Sequence, residues 1–287
     1  MDEQKKSKTS EILEMLQEGV KNVFDSDAYK TYLRFISKFR HYSWANTMLI
    51  LMQAPDTQYV ASFSDWKNKH NRYIKKGSKA IRIIAPHNIK ETDKDGNERI
   101  SVGFHAASLF RIEDTVPMRD CNEEIPSLTH TLCGSVAQYE RLRDVLIDIS
   151  PVPVSFEDIT SSGAYGYFSP KELKIVIQQD LPELQTCKTL MHEIAHSWLH
   201  AEGGECEKAN RRERETQAES VAYAVACFLE LDTGDYSFPY IAGYSSDKTF
   251  PELKASLAII HKTANKMIDL IEERMLEHGT SEEQAAC

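Results

Sequence analysis

His192-Glu193-Ile194-Ala195-His196 constrains this chain more than any other stretch, because its chemistry depends on helical geometry. Residues four apart stand on one face of a helix, about one turn from each other, so two imidazoles can converge on one ion. Glu193 follows the first imidazole and can reach the hydrolytic water without itself binding the metal. Its carboxylate can take that water's proton, which zinc makes cheaper to remove. Leu184, Leu190, Met191, Ile194, Ala195 and Leu199 supply an apolar face for a helix over about 184–202, and Gly203-Gly204 supplies its stop.

Two histidines need a third ligand from another element. Glu215-Thr-Gln-Ala-Glu219, within a predicted helix over 209–231, offers two carboxylates on one face. We read Glu215 as the ligand to Zn2+ and Glu219 as the acceptor that fixes a ligand imidazole's tautomer. The reverse assignment stays open, as does a bland one in which both acids pair with Arg211, Arg212 and Arg214. His200 continues the histidine face one turn on, too far for the ion without a bend, and is read as structural or substrate-facing. Cys206 lies near these helices, but hydrolytic zinc sites rarely take a fourth protein ligand.

Elsewhere the pattern is of mixed helices and strands. Apolar residues recur at helical spacing over 9–40, and Tyr42 to Met52 reads as a buried helix closed before Pro55, with Asn46 its conspicuous polar residue. Ile81 to Ile84 begins a strand expected to stop at Pro86. Residues 92–97 have turn chemistry, and 100–110 reads as an antiparallel partner. A proline-punctuated polar link over 117–130 precedes a helix at about 135–149, a short strand over 151–155, a hairpin from Gly166-Tyr-Phe-Ser169 to Leu173–Gln178, and a last helix over 251–277.

At 41% hydrophobic and 27% charged the chain can bury an adequate core. It has no apolar run of the ~18 residues a membrane span needs. Residues 1–8 lack the apolar region of a secretory signal, so a cytoplasmic, membrane-free protein with six free thiols is expected. A net charge of −10 argues against coating nucleic acid with the whole surface. One segment differs: Trp66 to Arg82 holds seven Lys or Arg and no acid. There Trp66 and Tyr73 stand among Lys67, Lys69, Arg72, Lys75, Lys76 and Lys79. Basic side chains that track phosphates and rings on which bases stack would bind single-stranded DNA of any sequence. The same residues would also make a core tryptophan and an ordinary solvated lysine face.

The hairpin Gly166 to Ile177, the H-E-x-x-H helix and the Glu-x-Gln-Ala-Glu that follows resemble the zincin-like metallopeptidases of the ImmA/IrrE type. Tyr42 to Pro55, Phe63-Ser-Asp-Trp66 and Arg72 to Pro86 are similar to the N-terminal domain of ArdC-type antirestriction proteins. These resemblances imply an α+β chain. An α+β domain over 1–120 would bind single-stranded DNA. A mainly helical gluzincin-type domain with a small β-sheet, over 121–287, would act on a peptide or protein through zinc. They also imply a bacterial mobile element and a role in protecting DNA during conjugation. Two alternatives remain: a non-proteolytic protection factor with structural zinc, and a regulatory protease that cleaves a mobile-element repressor.

Overall fold

The computed structural model of the chain describes residues 8–92, 98–118, 136–231, 238, 241, 244 and 248–285. Its first half runs α1 (Lys8–Asn22), α2 (Ser26–Lys38), α3 (Trp44–Gln53), β1 (Val60–Ser62), α4 (Phe63–Asn68), β2 (Arg72–Ile74), β3 (Ile81–Thr92), β4 (Glu98–Arg111) and β5 (Thr115–Pro117). The second runs α5 (Val136–Asp148), β6 (Val154–Glu157), β7 (Gly166–Ser169), β8 (Lys174–Gln178), α6 (Glu183–His200), α7 (Arg211–Phe228) and α8 (Phe250–Ala285). The fold is α+β, as expected. Turn residues 93–97, residues 119–130 of the expected link, and Cys121, Cys133 and Cys287 lie outside the described residues. The described cysteines, Cys187, Cys206 and Cys227, are free thiols.

The chain separates into two units, residues 1–23 with 41–127 and residues 24–40 with 128–287. This division differs from a single boundary near 120, because α2 belongs with the later helices. Tyr29, Tyr32, Leu33 and Ile36 of α2 are buried, and the Tyr29 hydroxyl lies 2.8 Å from Ser220 Oγ on α7.

In the first unit, Ile12, Leu16 and Val20 form the buried stripe of α1. The Ser43 side chain caps α3, accepting from Asn46 N. The strand order β1-β4-β3 leaves β3 at an edge, and open edges invite unwanted pairing. Two amides of α3, seven residues apart and so on one face, cover it. Asn46 donates to Ile84 O (2.9 Å) and accepts from Ile84 N (3.0 Å). Gln53 does the same to Arg82 O and N, both at 2.9 Å. This explains the polar Asn46 in an apolar helix. Contrary to expectation, β3 does not stop at Pro86 but pairs with β4 as far as Thr92↔Glu98. An edge strand tolerates the missing N–H.

Trp66 also departs from the expected role. It is fully buried, its indole N–H donates to Phe110 O at 2.8 Å, and Tyr59 packs edge-on against it. Its ring is core and offers no face to a base.

In the second unit, β8 lies between parallel β6 and antiparallel β7. Ile175, Val176 and Ile177 are all buried, as befits a central strand covered on both faces. Helix α7 opens on a capping box between Asn210 and Glu213. Its small buried residues Ala218, Ala222 and Ala226 suit close packing with a neighbouring helix. Among the described residues no helix is long and apolar enough to cross a membrane.

Candidate metal centre

Helix α6 presents His192, His196 and His200 at successive four-residue steps, and α7 brings Glu215 and Glu219 to meet them. His192 Nε2 and His196 Nε2 are 3.0 Å apart. Glu215 Oε2 lies 3.6 Å from the first and 3.8 Å from the second. A point equidistant from three atoms so spaced lies about 2.0 Å from each, the length of a zinc–imidazole bond. Among the described residues, His192, His196 and Glu215 form a group whose atoms could hold one divalent ion.

Each imidazole is also engaged at its other nitrogen. Glu219 Oε2 lies 3.2 Å from His192 Nδ1, on the ring edge away from the paired Nε2 atoms. His196 Nδ1 is 2.9 Å from His200 Nδ1, and His200 Nε2 is 2.9 Å from Gln217 Oε1. Among the described residues Cys206 is not one of the converging groups.

Three carboxylates, Glu193, Glu215 and Glu219, surround these rings and draw positive charge inward. Burial opposes charging His192, but the Glu215 carboxylate beside it, the hydrogen bond to Glu219 and the charge of Glu193 outweigh it and lift its pKa to about 10. The His192 and His196 rings beside it hold Glu215 well below the usual carboxylate range. Burial pushes Glu193 above that range, against the pull of both histidines, and pushes His200 down to about 4.

Strand β7 runs beside the histidine helix at close range. A Cβ on Gly166 would come within 2.7 Å of Thr189 Cγ2 and 3.0 Å of Val176 O, so only glycine lets the strand lie this near. The Phe168 N–H then reaches the Glu193 carboxylate. Clefts open on both sides of the group. One, of 520 Å³, is lined by Tyr165, Gln185, Lys188 and Thr189 with Glu219. The other, of 710 Å³, is lined by Tyr167, Phe168, His200, Arg211 and Arg214 with Glu215.

Gly166, the Phe168 N–H and Gln217 escaped the sequence reading. Only the four-residue step from His196 to His200 hinted at a longer hydrogen-bonded chain.

In the other unit, Tyr73 is 54% exposed on β2, and Lys67, Lys69, Lys75, Lys76 and Lys79 are exposed. Lys69 is paired with Asp65 at 2.6 Å, Lys75 Nζ donates to Glu113 O, and Arg72 Nε donates to Thr115 Oγ1. Of the proposed DNA-contacting set, only Trp66 is buried.

Comparison with known proteins also gives two parts, with residues 24–40 inside the first of them. Residues 2–115 match the N-terminal domain of the anti-restriction factor ArdC, and residues 148–227 match the IrrE N-terminal-like domain of a peptidase family. An uncharacterized protein of Bacillus anthracis is 24% identical over 96% of this chain. The chain spans about half the length of that curated relative, 53%. In fold it is similar to the antirestriction ArdC protein from the R388 plasmid. The metal-free crystal structure of that protein gives a TM-score of 0.54 at 16% identity, covering 82% of this chain and 86% of the other. Its Mn(II)-bound structure gives 0.51 at 14%, covering 81% and 84%. The chain thus carries, in order, a stretch that matches the ArdC N-terminal domain and one that matches the IrrE-like domain of a peptidase family, in a fold similar to that of an ArdC protein.

Proposed function

We propose that this chain is a zinc-dependent peptidase-type hydrolase joined to a single-stranded-DNA-binding domain, acting in antirestriction or DNA transfer by a mobile element. One observation carries the metal reading: the two Nε2 atoms face each other at 3.0 Å, with both Nδ1 atoms turned to other partners. Lone pairs so placed repel unless a proton or a metal ion lies between them. His192, His196 and Glu215 would be the ligands, and two imidazoles with one carboxylate favour zinc. That the R388 protein, similar in fold, has an Mn(II)-bound form supports a divalent ion in this chain as well.

A zinc ion here supplies Lewis acidity toward a scissile carbonyl and lowers the cost of deprotonating water. The chain's own residues do the rest. Glu193 takes a proton from the attacking water as its oxygen adds to the carbonyl carbon. It then delivers that proton to the departing nitrogen as the C–N bond breaks. Edge strand β7, open on the side away from β8, offers backbone to an extended peptide. Glu219 holds His192 by its far nitrogen.

Metal and proton compete for His192. Its pKa of about 10 means that a proton must leave before zinc binds at neutral pH, so affinity falls as pH falls. Competition with a chromophoric chelator between pH 6 and 8 should show zinc affinity rising about tenfold per pH unit. Absence of stoichiometric binding would end the metal reading.

In the first unit, Tyr73 with Lys67, Lys69, Arg72, Lys75, Lys76 and Lys79 would contact single-stranded DNA. Log affinity for an oligonucleotide should fall linearly with log salt, and replacing Lys75, Lys76 and Lys79 by alanine should reduce the slope by about 2. A salt-independent affinity would discredit the surface.

A further inference from the structure

We infer that His200 and Gln217 form a directional relay that holds His196 in the tautomer with a bare Nε2, making both positioning residues for the metal. This rests on the metal reading above and adds residues outside the ligand set.

The direction follows from the amide. Gln217 presents its oxygen, not its amide nitrogen, to His200 Nε2 at 2.9 Å. A carbonyl oxygen only accepts, so His200 carries its hydrogen on Nε2 and leaves Nδ1 as an acceptor. That Nδ1 lies 2.9 Å from His196 Nδ1, which must therefore donate. His196 is left with a bare Nε2, 3.0 Å from that of His192. Turning the Gln217 amide over would reverse every step and put a hydrogen on His196 Nε2, where the ion should sit.

The two ligand imidazoles are thus set by different devices. His192 donates to Glu219, a carboxylate that can only accept. His196 uses a neutral pair, which adds no fourth negative charge beside Glu193, Glu215 and Glu219. His200 and Gln217 are both buried, so water cannot easily take over if either is removed.

Two measurements on the full chain test this. Long-range 1H–15N spectra of histidine-labelled, metal-free protein at neutral pH should show His200 as the Nε2–H tautomer. Zinc affinity by chelator competition should fall about 10–100-fold in His200→Phe and in Gln217→Leu. Gln217→Glu, which keeps the acceptor while adding a charge, should retain more zinc affinity than Gln217→Leu. An Nδ1–H tautomer at His200, or wild-type affinity in a folded His200→Phe or Gln217→Leu protein, overturns the relay. If His200→Phe does not fold, the tautomer and the Gln217 variants decide. A wild-type protein that takes up no zinc would defeat the metal reading instead, and the tautomer would still be readable.

Discussion

Glu193→Gln is expected to lower peptide hydrolysis by about 10²–10⁴-fold while leaving the metal content of the protein unchanged. The substitution keeps the shape of the side chain and removes its capacity to take a proton. Glu193 lies outside the group that could hold an ion, so its loss should not release zinc. His192→Ala should behave oppositely and abolish stoichiometric metal. New amino termini, labelled after incubation with a bacterial lysate, would report hydrolysis, and elemental analysis would report the metal. Equal cleavage by wild type and Glu193→Gln would remove Glu193 from the chemistry. Cleavage by neither, with protection of DNA intact in both, would favour the non-proteolytic protection factor.

The second large effect is expected from Trp66→Ala, at about 3–5 kcal/mol of stability in the first unit. The side chain is fully enclosed and its N–H donates to Phe110 O, so truncation leaves a cavity and removes that hydrogen bond. Tyr73→Ala should change stability by less than about 0.5 kcal/mol, because the ring is 54% exposed. It should nevertheless cost about 1–3 kcal/mol in binding an oligonucleotide if a base stacks there. Urea unfolding and an oligonucleotide titration on the two variants separate a fold defect from a lost contact. A Trp66→Ala protein as stable as wild type would contradict the packing.

What was legible beforehand was local. The four-residue steps among His192, His196 and His200, and between Glu215 and Glu219, are written along single helices, so their shared faces could be read without a fold. That α6 and α7 bring His192, His196 and Glu215 together needed only one helix–helix contact. The helical periodicity of α1 and α3 and the turn chemistry between β7 and β8 were equally local. Other features depended on partners remote in the chain. Asn46 and Gln53 make sense only once β3 is seen to be an edge, and so does the strand's passage through Pro86. Trp66 sits among lysines in the sequence, yet its surroundings are Tyr59, His70 and Phe110. Gln217 is an unremarked residue until His200 is found against it.

Helix α2 carries a practical lesson for dissecting the molecule. The stretch matching the IrrE-like domain, 148–227, excludes it. Yet Tyr29 closes a bond to Ser220, and Arg40, just beyond the helix, pairs with Asp269 and Glu272 of α8. A fragment beginning after residue 127 would strip an aromatic wall from α7 and strand those acids. No single scissor cut frees an intact peptidase-family half, because its polypeptide is threaded in two instalments with most of the other unit between them.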